Sequence, residues 1–205
     1  MFLLFVFSIV GQAITELKQH NEEMIEKNAA TITMNVYLTS GHFLQATFEN
    51  WESEFLQMAL FVILSMFLFQ KGSAESKDPD NEEDVNREPD PQKKDAPWPV
   101  KKGGWILGIY RHSLCYALTI LFILSFSLHW YGSLKDYNEQ RQLNHKPTET
   151  AVEYLSNSRF WFESFQNWES EFLSLFAIII LSIFLWEQGS PQSKPVDAAH
   201  SETGG

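Results

Sequence analysis

Two glutamates, Glu54 and Glu171, stand 117 residues apart in one seven-letter context, Asn-Trp-Glu-Ser-Glu-Phe-Leu, and each is the last charged residue before an apolar run. A carboxylate held at the edge of hydrocarbon is costly to ionise, so such a side chain faces a bundle interior, a polar partner or a solvated path. Glu52 and Glu169 lie two residues earlier, and Asn50, Ser53, Asn167 and Ser170 complete the polar set. At about 100° per residue, Asn50, Ser53, Glu54 and Gln57 gather on one side of a helix. Phe48, Trp51 and Phe55 take the other side, with Glu52 at its margin. The chemistry this suggests is binding of a proton or cation by paired carboxylates. The plainer alternative is structural: Asn, Ser and Glu cap the first helical turn, where carboxylates suit the helix dipole, and the glutamates only mark an interface.

What must position these residues is a set of membrane helices. The chain has 205 residues, 44% of them apolar, and a mean hydropathy of −0.20, ordinary averages that hide concentration of the apolar residues into four blocks. A soluble core would spread them at helical or strand spacing. The net charge of −11 argues against nucleic acid, which needs a basic face, and against adhesion to a membrane through basic residues. The single cysteine, Cys115, lies inside an apolar run and reads as a small buried hydrophobe.

The offset of 117 holds without a gap. Leu17-Lys18 returns as Leu134-Lys135, Asn21-Glu22 as Asn138-Glu139, Tyr37-Leu38 as Tyr154-Leu155, Gly72-Ser73 as Gly189-Ser190, and Ser76-Lys77 as Ser193-Lys194. Residues 1–80 and 118–197 therefore read as two versions of one unit, each an apolar run, a polar segment, the seven-letter motif and a second apolar run. The expected fold is an all-α membrane protein with four transmembrane helices, arranged as two tandem, parallel-repeat helical hairpins joined by a disordered linker. Residues 1–69 form the first hairpin, 70–104 the charged and Pro-rich linker, 105–186 the second hairpin, and 187–205 a disordered tail.

Residues 1–14 are too short, at about 21 Å, for a hydrocarbon core of about 30 Å. They read as a first membrane helix whose native start lies upstream of Met1, or else as a signal peptide; the lack of a basic segment before them favours the helix. The segment around residues 29–33 reads as non-helical, and a helix resumes near Ser40. The apolar run at 55–69, about 15 residues, spans only if the preceding turn joins it. In the second hairpin the span begins at Ser113, after Arg111-His112, and ends near His129-Trp130-Tyr131, an aromatic group suited to headgroups. The linker holds five of the eight prolines and seven basic residues, which places it and both termini on the cytoplasmic side and the hairpin loops outside.

The stretches at 48–57, 70–77 and 165–173 resemble an uncharacterised family of small bacterial multi-pass membrane proteins carrying a duplicated Asn-Trp-Glu-Ser-Glu-Phe-Leu motif. That resemblance implies a bacterial plasma (inner) membrane location and no established activity, so it assigns no catalytic residue.

Other chemistry is thinly represented. Glu16 and His20 have the i, i+4 spacing of metal ligands, and His42 and His145 lie in the loops, but Ser133 and Tyr137 replace the first two in the second copy. No metal and no cofactor are expected. There is no phosphate-cradling glycine loop, nucleophile elbow or cysteine pair, so the protein reads as not an enzyme. The leading expectation is a non-enzymatic scaffold, sensor or accessory protein. The alternative is proton- or cation-coupled transport through Glu54 and Glu171. The expected partners are membrane lipid and a second copy of the chain or another membrane protein.

Overall fold

The computed structural model describes residues 1–67, 69, 72, 74, 76–77, 84–200 and 202–203. Among them every regular element is helical: α1 (Phe2–Glu26), α2 (Met34–Tyr37), α3 (Gly41–Phe67), a 3-10 turn at Asp84–Asn86, α4 (Trp98–Lys102), α5 (Gly104–Arg111), α6 (Ser113–Leu143), α7 (Ala151–Tyr154) and α8 (Ser158–Phe184). Much of the expected linker, residues 70, 71, 73, 75 and 78–83, lies outside the described residues, as do 201, 204 and 205 of the expected tail.

Three of the long helices, α1, α6 and α8, are long and apolar enough to cross a membrane. Their most apolar windows are only 6%, 11% and 6% buried inside the protein. A helix of a water-soluble domain buries its apolar stripe against neighbours; here Phe2, Leu114 and Phe176 are 75%, 61% and 61% exposed. Helix α3 matches α8 in length at 27 residues, but Glu49, Glu52 and Glu54 occupy its middle and its apolar run begins only at Phe55. Helix α6 begins at Ser113, because α5 ends at Arg111 and His112 takes a non-helical conformation between them.

The chain forms two compact units. One comprises Met1–Ser53 with Phe122–Asn167, the other Glu54–Leu121 with Trp168–Gly205. In the first, the core is aromatic: Tyr37, Tyr154 and Phe160 are all 0% exposed, each such burial contributing about 1.5–3 kcal/mol. The loops after α1 and α6 are tied down alike. Asn21 Nδ2 donates to the carbonyl of Ile32 and its Oδ1 accepts from the Ile32 amide; Asn138 makes the same two bonds to Glu149. Asn28 and His145, each in the turn just before, have φ of 56° and 55°, the left-handed conformation that ends helices. Helix α7 is started by a capping box in which Thr150 Oγ1 accepts from the Glu153 amide while the Glu153 carboxylate takes the Thr150 amide. Those bonds from Thr150 hold the exposed Glu153 carboxyl below its ordinary range.

Two helices of this unit meet at glycine. A Cβ on Gly132 of α6 would lie 2.5 Å from the Gln45 amide nitrogen and 2.8 Å from Leu44 Cβ, and one on Gly41 would lie 2.8 Å from the Gly132 carbonyl oxygen. Only glycine lets these backbones come so close.

In the second unit, Lys77 Nζ donates to the Met66 carbonyl at 3.0 Å, and Lys194 Nζ to the Ile183 carbonyl at 3.4 Å. Each ammonium thus serves an unpaired carbonyl at a helix C-terminus. Lys194 is 1% exposed and also donates to the carbonyls of Ala199 and His200, which pins the segment after α8.

Candidate functional site

The site lies wholly in the first unit and is built from helical spacing. Glu49 and Glu52, three apart on α3, share a face. On α6, His129, Ser133, Asp136 and Gln140 recur at four, three and four residues, a polar stripe along one side. Arg159 and Glu163, four apart, supply α8, and Tyr154 comes from the short α7.

His129 is at the centre. It is 0% exposed, as is Glu52, whose Oε2 lies 2.7 Å from His129 Nδ1. The other ring nitrogen, Nε2, points at Glu163 Oε2 at 3.4 Å and at Glu49 Oε2 at 3.9 Å. Ser133 Oγ donates to Glu163 Oε2 at 2.5 Å and lies 2.6 Å from the Tyr154 hydroxyl. Arg159 fixes the far side: its Nε donates to Glu163 Oε1 at 2.7 Å, and its other arm to Asp136 Oδ2 at 2.7 Å. Gln140 Nε2 donates to the same Asp136 oxygen. Phe160, 5.0 Å from the imidazole between ring centres, closes one side.

The balance of charge is uneven. Four carboxylates, Glu49, Glu52, Asp136 and Glu163, converge on one guanidinium and one imidazole. An unpaired buried charge costs several kcal/mol even after relaxation; with all four ionised the carboxylates outnumber the two cationic groups even when His129 is protonated, an imbalance that uptake of a proton or a cation would relieve. Burial, reinforced by Glu163, pushes the Tyr154 phenol above its ordinary value, and burial with Glu16 does the same to Tyr37. Both phenols stay protonated.

The corresponding positions of the first half are differently furnished. Gln12 stands 117 residues before His129, Glu16 before Ser133, His42 before Arg159 and Ala46 before Glu163. Gln12 Nε2 donates to Glu16 Oε1 at 3.2 Å and to Thr47 Oγ1 at 3.4 Å, and the Tyr37 hydroxyl donates to Glu16 Oε2 at 3.0 Å. Here an amide takes the place of the imidazole and one carboxylate is satisfied by neutral donors. Glu16 therefore turns to Gln12 and Tyr37, while His20 packs 5.3 Å from the His42 ring. His145 sits in the turn after α6.

Of the residues singled out by sequence, Glu52 enters the centre directly. Asn167 touches it through Nδ2, which donates to the Glu163 carbonyl. Ser53 is buried and donates to the Asn50 carbonyl, and Asn50 is exposed, its Nδ2 on the Ala46 carbonyl. Glu54, Glu169, Ser170 and Glu171 belong to the second unit. There Glu54, Glu169 and Ser170 are exposed and Glu171 is half-buried, with Gln57 Nε2 donating to the Glu171 carbonyl and the Ser174 hydroxyl. His129 is fully buried whereas Tyr131, two residues on, is 55% exposed; the two imidazole nitrogens are drawn inward by carboxylates. Glu49, Asp136, Arg159 and Glu163 were legible only as scattered charges, although their spacing of three, four and seven along helices is a signal in retrospect.

The model of a family described as a domain of unknown function (DUF6766) matches residues 1–205. No curated protein and no solved structure matches the chain.

Proposed function

Because the chain belongs to the DUF6766 family, whose description assigns no activity, its function has to come from the buried centre, and we propose that it is a non-enzymatic membrane protein that senses a cation or proton there. The carrying observation is the Glu52–His129 pair, fully buried at 2.7 Å inside a surplus of carboxylates. Glu52 stands three residues before the apolar run of α3, and His129 lies in the last turns of the apolar run of α6. The centre thus sits at a membrane edge, the external one if the basic linker is cytoplasmic.

In this reading α3 is the fourth span, and the chain is two copied hairpins in a bacterial plasma membrane. Several equalities support the copying. Helices α2 and α7, and α3 and α8, have equal lengths and start 117 residues apart; the paired asparagine, left-handed turn and lysine contacts recur at the same offset. Membrane lipid covers the exposed apolar windows. Coupled transport is the second reading, favoured by the half-buried Glu171 beside the Gln57 bridge.

The test uses the full chain in detergent and in vesicles. Tryptophan fluorescence is expected to change with pH or added cation in the wild type and to stop changing in the Glu52→Gln, Glu163→Gln double variant. Transport instead predicts collapse of a pH gradient across vesicles, abolished by Glu54→Gln with Glu171→Gln. A chain that stays monomeric and folded in buffer without detergent overturns the membrane assignment.

A further inference from the structure

Glu49, His129 and Glu163 each bring one ligand atom within 4.8 Å of the other two, and we propose that they are the ligands of one divalent transition-metal ion, with zinc the best fit. This rests on the cation-sensing reading and names its cation. Three observations carry it.

The first is donor chemistry. Imidazole nitrogen and carboxylate oxygen are both donors that zinc takes, and three protein ligands leave a fourth tetrahedral position for water. Hard-ion sites for calcium or magnesium are built from oxygen alone.

The second is spacing. Bonds of about 2.0–2.1 Å in a tetrahedron separate neighbouring ligands by about 3.3–3.4 Å. Nε2 is 3.4 Å from Glu163 Oε2 and 3.9 Å from Glu49 Oε2, and no pair in the trio is more than 4.8 Å apart, so movements of up to about 1.4 Å, chiefly by Glu49, the more exposed side chain, bring the set to tetrahedral spacing.

The third is the outer contacts. A metal-bound histidine characteristically donates its other ring N–H to a carboxylate, which fixes the tautomer and aims the ligating nitrogen. Glu52, wholly buried and 2.7 Å from Nδ1, is placed for that role. Glu163 is oriented as well: Arg159 takes Oε1, while Oε2 accepts the Ser133 hydroxyl proton and faces His129 Nε2, so that with Nε2 deprotonated its remaining lone pair is left for the ion. A divalent ion also offsets the surplus negative charge. Glu52 is a positioning residue here, not a ligand.

The experiment is titration of the chelator-treated, detergent-purified full chain with Zn2+ by calorimetry, and with Co2+ by visible absorption as a geometric probe. One ion per chain is expected, with a four-coordinate Co2+ spectrum and a raised melting temperature. Glu49→Gln and Glu163→Gln should each weaken binding at least about tenfold, and Glu52→Gln about 10–100-fold, whereas Glu54→Gln leaves it unchanged. Because Glu163 also holds Arg159, circular dichroism accompanies each variant, and Glu49→Gln, whose side chain is 21% exposed, decides the matter if Glu163→Gln unfolds. Failure of the wild type to bind either ion, or binding that Glu49→Gln leaves intact, overturns the metal site. A chain that binds no metal yet keeps its pH-dependent fluorescence overturns this proposal and leaves the sensing reading standing.

Discussion

Replacing Gly132 by alanine tests whether the close approach of α3 and α6 builds the centre. By propensity alone the change stabilises a helix by about 0.5–1 kcal/mol. The structure demands the opposite sign. The new Cβ would lie 2.5 Å from the Gln45 nitrogen and 2.8 Å from Leu44 Cβ, whereas carbon atoms rest at about 3.5–4.0 Å. Both obstacles sit on the first turns of α3, so the helices must part by about 1 Å, an overpacking that costs about 1–3 kcal/mol. His129 is one turn from Gly132, and parting the helices also stretches its 2.7 Å bond to Glu52. A buried polar pair pulled out of hydrogen-bond range loses a further 1–3 kcal/mol or about that. The net expectation is a loss of about 1–5 kcal/mol, or roughly 2–20 °C in melting temperature for a chain of this size. Thermal unfolding of the detergent-purified protein, followed by circular dichroism, reads it. Gly11→Ala is the internal control: it lies in α1 of the same unit, and nothing within 4 Å would meet its Cβ. If Gly132→Ala melts at or above the wild type, the close packing is wrong, and with it the geometry of the centre.

Three other expectations concern the centre and its tyrosines. Glu52→Ala leaves the His129 imidazole buried without its carboxylate and should cost about 3–5 kcal/mol, while Glu52→Gln keeps an acceptor for Nδ1–H and should cost less than half of that; equal losses in denaturant titration would contradict the pairing. Arg159→Lys keeps the charge but cannot bridge Asp136 and Glu163 at once, so it should destabilise by about 1.5–3 kcal/mol, and an unchanged melting temperature would refute the bridge. Tyr37 and Tyr154 titrate above the ordinary phenol value in the folded chain. Above about pH 10 the unfolded chain therefore releases protons that the folded one keeps, and stability should fall by about 1.4 kcal/mol per pH unit for each tyrosine. Tyr37→Phe with Tyr154→Phe should flatten that alkaline limb, and a limb left as steep as before would contradict it.

The backbone was more legible than the chemistry. The start of α6 at Ser113 follows from Arg111-His112 interrupting the apolar residues, and the resumption of helix at Gly41 from the non-helical stretch before it. The seven-letter motif drew attention to what the two halves share. The centre is made largely where they differ: His129 against Gln12, Glu163 against Ala46, Arg159 against His42. A comparison tuned to shared letters passes over those positions. The helical wheel left Glu52 at the margin of an aromatic face and carried no sign that the fold buries it completely. A wheel gives relative direction around one helix, but the identity of what lies opposite comes from other helices distant in sequence. Glu163, inside Phe-Trp-Phe-Glu-Ser-Phe, was masked by its aromatic neighbours in the same way.

Glu49 and Glu52 come from the first half of the chain, and His129, Arg159 and Glu163 from the second. A symmetric pairing of two identical hairpins could offer such a constellation only twice over or not at all. With both halves on one chain, the first contributes carboxylates alone while the second contributes the imidazole and the guanidinium beside carboxylates of its own, so the centre is asymmetric and its stoichiometry is set at one per polypeptide, whatever the concentration of protein in its surroundings.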